Sequence, residues 1–361
     1  MYCHWLFWTR LFRLIMPTIL NTESVYFNDV NLIPNLGVVK SREDVPRELY
    51  RIIVSPMSAI VGETFTKKAA QLGLSITTPR YISNAKKQKL YNIFYENSTN
   101  ENQVCFISIG MENQLKDLLY LRDINNLNVL VDIANGYVPH LKDGVYFILQ
   151  SIGKSHFDKL MVGNVVTASG INKICDELDL LTKELNIRVG IGNGSICASS
   201  DVTSVNRGQI TELMECWETK NYYNLYKRFF GKNTKVNLVS DGGISKSGFV
   251  MKAFGAGADY CLMGGYFSKA REAEAHISGD GIYYGCASKK QIELAGLNKH
   301  SEGKEIKIEL SQLESLEHLV EELWGGIASG ISYSGYANVS EFIGNGVFEK
   351  KNNSLPPKIR I

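Results

Sequence analysis

The chain has 361 residues, enough for one large domain or two small ones, and its 44% hydrophobic and 21% charged residues are those of a globular protein with a sizeable core. With 39 basic against 37 acidic residues the net charge is only +2, which gives no electrostatic ground for a nucleic-acid or anionic-membrane partner. The seven cysteines (3, 105, 175, 197, 216, 261 and 286) are scattered without a CxxC, which excludes a disulfide framework and a zinc pattern and fits a reducing, cytoplasmic compartment.

Residues 1–16 differ from the rest, with aromatic and aliphatic residues around Arg10 and Arg13. The segment is too short to span a bilayer, and its arginines follow the apolar residues, so it makes a poor signal peptide. It is read as lying outside the fold, with translation beginning at Met16, and residues 17–361 as one domain without stable membrane insertion. Residues 25–34 suggest a short entry strand. Strands are then expected at 51–55 (RIIVS), 74–77 (LSIT), 104–109 (VCFISI), 128–133 (NVLVDI), 160–162, 187–191, 236–240 and 259–262. Helical patterns fall between them, at 62–72, 84–95, up to 121, 141–151, 170–185, 209–230 and 246–254. Eight short apolar strands alternating with helices predict a (β/α)8 barrel, with a doubly wound open sheet as the alternative. Beyond the barrel, residues 285–303 are polar and basic and read as a flap, about 274–310 in extent. Residues 314–323 read as an amphipathic helix and 325–335 as a small-residue stretch.

In a barrel the chemistry sits on the loops after the strands. After the sixth strand comes VGIGNGSICASS (189–200), with glycines at 190, 192 and 194 and then Ser195 and Cys197. A glycine-framed cysteine at a strand end suits a nucleophile; the simpler reading is a turn and a small core residue. After the seventh and eighth strands come Asp241, Gly242 and Gly243, and then Gly264 and Gly265. Two such turns can point bare backbone N–H groups at a phosphate. Asp241 would repel an anion and is read as an acceptor for ribose hydroxyls. After the fourth strand, Asp132 with Asn135 could orient a cofactor amide or cap a turn; Asn164 after the fifth is a weak signal.

These stretches resemble the IMP dehydrogenase/GMP reductase family over roughly residues 26–347. The resemblance rests on FNDVNLIPN (27–35), IIVSPM (52–57), VDIANGY (131–137), MVGNVVT (161–167), VGIGNGSIC (189–197), SDGGI (240–244), AFGAGADYCLMGG (253–265), YYGCAS (283–288) and SEGK (301–304). It lies nearer the reductases. Only 26 residues separate Thr77 from Val104, so the regulatory insert usual in the dehydrogenases is missing, and there is no arginine between Arg271 and Arg360 to serve as their water-activating flap residue.

The resemblance implies NADPH-dependent reduction of GMP to IMP with loss of ammonia, through a covalent Cys197 adduct, with Ser199 and Glu302 handling the amine's proton. It implies that Ser195, Asp241, Gly242, Gly243, Gly264 and Gly265 hold the ribose phosphate. Gly285, Cys286, Ala287, Lys299, Ser301 and Gly303 are the matching base and flap contacts. It assigns the dinucleotide to Ser41, Arg42, Asp132, Ile133, Ala134, Ile191 and Gly192, and to Ser329 and Ser332 reaching a neighbouring subunit of a homotetramer. A potassium ion would take backbone carbonyls of Gly192, Gly194, Cys197 and Ser200. The chain departs from the family at Asn193, where the family has proline. It also departs at Ser199 (threonine), Lys299 (arginine), Cys286 (methionine) and Ser58 (Asp or Gln). These changes leave open a different purine nucleotide, deoxy or modified, or an IMP dehydrogenase. A nucleotide-binding protein without turnover ranks last.

Overall fold

In the computed structural model, which describes residues 23–111, 118–194, 196, 199–227, 233–298, 300–301 and 303–351, eight parallel strands close into a barrel in chain order. The leading segment 1–16 lies outside the described residues, as does most of the helix expected before residue 121. The chain enters on β1 (Val30–Leu32). The barrel strands are β2 (Ile52–Val54), β3 (Ser75–Thr77), β4 (Cys105–Ile109), β5 (Asn128–Asp132), β6 (Phe157–Val165), β7 (Thr182–Val189), β8 (Lys235–Asp241) and β9 (Tyr260–Met263). β9 pairs with β2 and closes the ring, so the barrel rather than the open sheet is the architecture. No described helix is long and apolar enough to cross a membrane.

Several of the strands read as largely apolar runs because both of their faces are buried. Alternate residues serve two cores. Ile53, Phe106, Leu130, Met161, Val239 and Leu262 fill the barrel interior, whereas Val54, Ile107, Val129, Val131 and Leu238 face the helices. The surrounding helices include Glu63–Gln71, Asn84–Asn97, Leu141–Ile152, Ala168–Leu178, Gln209–Tyr226 and Ser247–Gly255. Beyond the barrel, β10 (Ile282–Tyr284) and β11 (Glu305–Lys307) form an antiparallel hairpin that carries the expected flap. The last strand, β12 (Phe348–Lys350), pairs with β1.

Three expected extents need correction. The helix read over 170–185 stops at Leu178, and β7 already begins at Thr182. The polar start of that strand resembles a helix surface, but it pairs in register with β6, and Lys159 and Lys183 form ion pairs with Glu184 and Asp158 across the two strands. β6 is correspondingly longer than the three residues expected. The amphipathic helix read over 314–323 runs on through the small-residue stretch, as one helix Leu316–Ser334 that ends on Gly335 at φ 80°. The glycines let that helix lie close against Ser247–Gly255: a Cβ at Gly326 would overlap Ser247, and one at Gly330 would stand 2.7 Å from Met251 Cγ.

Leu130 is fully buried in the barrel interior. Leu130→Ala should cost about 2–5 kcal/mol of stability, read by denaturant unfolding; a loss below about 1 kcal/mol would mean that this interior is loosely packed.

Candidate active site

A cavity of about 1150 Å³ opens at the C-terminal ends of the strands. The loops after β5, β7, β8 and β9 supply much of its wall, and β6 adds Asn164 near its own C-terminal end. The flap closes the cavity with Gly285, Cys286, Ala287 and Gly303.

Its floor is held by one cation. Arg188, on β7, is buried, with Nη1 2.8 Å from Asp132 Oδ1 on β5. Its Nε and Nη2 donate to Asp241 Oδ2 on β8 at 2.9 and 2.8 Å. Asn164 Nδ2 donates to the same Asp241 oxygen at 2.8 Å and to Gly190 O at 2.5 Å, and Arg80 Nη1 donates to Asp132 O at 2.6 Å. Burial by itself would push the Arg188 guanidinium down, but the charges of Asp241 and Asp132 and their hydrogen bonds outweigh it and hold its pKa above the usual value. Asp132 and Asp241, singled out as cofactor and ribose acceptors, thus each commit an oxygen to Arg188.

The glycine turns after β7 and β8 touch each other. Gly190, Gly242 and Gly243 have φ of 134°, 95° and 75°, where side chains are strained. A Cβ at Gly190 would overlap Asp241 O, and one at Gly242 would stand 3.1 Å from Gly194 N. Gly264, Gly265, Ile133, Ala134, Ile191, Gly192 and Gly194 also line the cavity. Cys286 lines it too, but burial pushes its thiol up to about 12, so it stays protonated and is no competitor as a nucleophile.

Ser195, Cys197, Lys299 and Glu302 lie outside the described residues, as do the side chains of Ser199 and Ser200. Their chain neighbours are described and are tied together. Lys304 N donates to Ile196 O at 2.9 Å, and Lys304 Nζ reaches Asp201 Oδ2 at 2.7 Å. Ser301 Oγ donates to Ala287 O at 3.2 Å, and Gly303 bridges Ser288. The stretch before Cys197 and the stretch after Glu302 are therefore bonded to each other. Ser41, Arg42, Ser329 and Ser332 are elsewhere. None of them lines the cavity, and Arg42 Nη1 donates to Ser329 Oγ at 3.4 Å on the outer surface.

Sequence reasoning missed Arg188, Arg80, Gln209 and Glu212. Arg188 carried a signal: it is a charged residue inside an apolar strand, and such a residue is buried only with partners. Glu212 and Gln209 gave none, because a polar residue in the first turn of a helix reads as surface.

Barrel, glycine turns and paired carboxylates together place a polar cavity at the mouth of a (β/α)8 fold, the face where such folds carry their chemistry. The chain belongs to the IMP dehydrogenase / GMP reductase domain family, which matches residues 27–355. It is similar to human GMP reductase 2, with 27% identity over 373 aligned positions covering 95% of this chain and 98% of that protein. It is also similar to the GMP reductases of Buchnera aphidicola subsp. Acyrthosiphon pisum (strain Tuc7), 28% identical over 87% of this chain and 90% of that one, and of Escherichia coli (strain SMS-3-5 / SECEC), 26% identical over 87% and 91%.

Arg188→Met leaves the buried Asp132 and the partly buried Asp241 without their shared cation. It should destabilise the protein by about 3–5 kcal/mol, read by denaturant unfolding near neutral pH. A loss below about 1 kcal/mol would mean that the Asp132–Arg188–Asp241 bridge is not what holds the floor.

Proposed function

We propose that the protein reduces GMP to IMP with NADPH and releases the 2-amino group: GMP + NADPH + 2H⁺ → IMP + NADP⁺ + NH4⁺. The observation that carries this reading is the tie from Lys304 to Ile196 and Asp201, which joins the flap stretch bearing Glu302 to the loop bearing Cys197 over one cavity. The names of the relatives point the same way.

In this reading Cys197, as thiolate, attacks C2 of the guanine ring, and the amine leaves with a proton relayed by Ser199 and Glu302. The C2 thioimidate then accepts hydride, and Cys197 departs as IMP is released. NADPH, when bound, supplies the hydride. The fit of two ligands is supported by the cavity itself, whose volume of about 1150 Å³ exceeds the roughly 300–1000 Å³ usual for one small molecule. It is supported further by Asn164 Oδ1 and Gln209 Oε1, buried acceptors of wall residues that have no partner among the described residues. The turns at 242–243 and 264–265, with Ser195, would receive the phosphate, and Gly285, Ala287, Lys299, Ser301 and Gly303 the base. Asp132, Ile133, Ala134, Ile191 and Gly192 would face the nicotinamide end. Backbone carbonyls of Gly192, Gly194, Cys197 and Ser200 would hold a potassium ion, a donor type suited to such a cation.

Ser41, Arg42, Ser329 and Ser332, away from their own cavity, would complete a neighbour's in a homotetramer. The exposure of Leu36 (85%), Tyr333 (71%) and Val38 (63%) beside them supports a covered surface there. A cytoplasmic location is supported by the five described cysteines, all free thiols.

With GMP and NADPH, absorbance of the cofactor should fall as ammonia appears, and IMP with NAD⁺ should give no steady XMP. A panel of deoxy and modified purine nucleotides run alongside ranks the substrates; faster turnover of one of these than of GMP would reassign the nucleotide. Cys197→Ala should lose at least about a thousandfold in turnover while still binding GMP. Turnover within about tenfold of wild type would overturn the covalent route.

Glu302→Gln separates the half-reactions. It should block ammonia release from GMP while sparing isotope exchange from labelled NADPH into C2 of IMP with NADP⁺ present. An equal fall in both would make Glu302 a positioning residue and not the source of the proton.

A further inference from the structure

Beneath the glycine turn that ends β7 lies a carboxyl that this chemistry does not use. Glu212 stands in the first turn of the helix Gln209–Tyr226 and is 1% exposed. Its Oε1 accepts from Asn193 Nδ2 at 3.2 Å, and its Oε2 has no hydrogen-bond partner among the described residues. Asn193 Nδ2 also donates to Arg207 O at 3.1 Å. The backbone of Asn193 packs on the neighbouring turn: a Cβ at Gly242 would stand 3.3 Å from Asn193 C, and one at Gly243 would stand 3.2 Å from Asn193 O. Asn193 is thus wedged between a helix and the turn after β8. A proline at such a position limits the backbone through its ring. Asparagine lacks that restraint, and here its amide is anchored instead.

We propose that Glu212 and Asn193 form a positioning pair, in which the buried carboxyl holds the Asn193 amide and so fixes the turn 190–194 against 241–243 for the residues beyond it, up to Cys197. The catalytic consequence rests on the reductase reading above; the structural consequence does not. The groups facing Glu212 agree with a neutral carboxyl. Burial pushes it well above the usual carboxylate range and the charge of Asp241 adds to this, while Arg207 and the Asn193 hydrogen bond pull less strongly the other way. On its own helix Glu215 is engaged by Arg207, and the Cys216 thiol is held neutral by burial. A carboxyl raised in the folded state contributes stability that is fully present below its unfolded pKa, and that contribution is lost as pH rises through the folded value. Glutamine at this position is neutral at every pH and escapes the loss.

The test compares wild type, Asn193→Ala, Glu212→Ala, the double variant and Glu212→Gln. The readouts are kcat and KM for GMP, amide hydrogen exchange over residues 190–196, and melting temperature against pH. Either alanine variant should lower kcat about tenfold with KM changed by less than about threefold, and the double should be no slower than the slower single. Exchange at 190–196 should rise in both. Glu212→Gln keeps the carbonyl acceptor and should return kcat to within about twofold of wild type. Its melting temperature should gain progressively on wild type as pH rises above about 5. Alanine effects that multiply in the double variant, or a Glu212→Gln as slow as Glu212→Ala, would overturn the pair. If wild type does not turn over GMP, the reductase reading fails and exchange alone decides. Increased exchange in both alanine variants then supports the pair, and unchanged exchange overturns it.

Discussion

The site depends on one buried bridge. Arg188 joins β5 to β8 across the barrel mouth by pairing with Asp132 on one side and Asp241 on the other. Two carboxylates this close would repel each other and resist burial without a cation between them, and a lone guanidinium there would be as costly. The planar fork of arginine is what allows one side chain to serve both, with Nη1 on one carboxylate and Nε and Nη2 on the other. Lysine, a single ammonium, could not span the two with the same geometry. The bridge therefore sets the directions of both aspartates before any ligand arrives, which is the preorganisation a polar site needs.

Above the bridge, the close contact of the turns after β7 and β8 comes from the missing Cβ atoms. At Gly190 a side chain would collide with the Asp241 carbonyl, and at Gly242 and Gly243 it would collide with or crowd the 193–194 backbone and Gln209. The glycines are required twice over, by left-handed φ and by contact distance. Arg188, the turns and Asn164, which bonds to both Gly190 and Asp241, form one connected unit. A change in any member is felt by the others, so effects in this region should not add.

Much of this was legible in the chain, and the reasons differ from place to place. The barrel strands stand out because their two buried faces make largely apolar runs such as CFISI and NVLVD. The loops that line the cavity stand out because glycines cluster at the strand ends, where at Gly190 and Gly242 backbone comes up against backbone. The boundary at 178–182 was not legible. Thr182, Lys183 and Glu184 are polar like a helix surface, and what makes them strand is pairing with β6, a contact distant in the chain. The helix through Gly325, Gly326 and Gly330 was missed because glycine is a poor helix former in isolation; packing on Ser247 and Met251 overrides that propensity. Asp132 and Asp241 were found as carboxylates at strand ends, but their shared partner was not, since nothing local links positions 132, 188 and 241. Glu212 was invisible for the same reason.

The described contacts between the 303–304 end of the flap and the loop after β7 are light compared with the floor. The Lys304–Asp201 pair is exposed, 54% and 65% on its two side chains, so it contributes only about 0.2–1 kcal/mol. The other described tie from this stretch to the loop after β7 is one backbone hydrogen bond from Lys304 to Ile196; the Ser301 hydroxyl on Ala287 and the bridge of Gly303 to Ser288 lie within the flap itself. Each such bond is worth about 0.5–1.5 kcal/mol net, and all can be exchanged for water. On the reading proposed above, a buried floor facing an exposed tie suits a reaction in two halves. In the proposed reaction the groups that orient the purine would stay fixed between deamination and reduction, whereas the flap would open to admit substrate and to release product. The division of stability between the two parts of the site is thus already written into which contacts are buried and which are not.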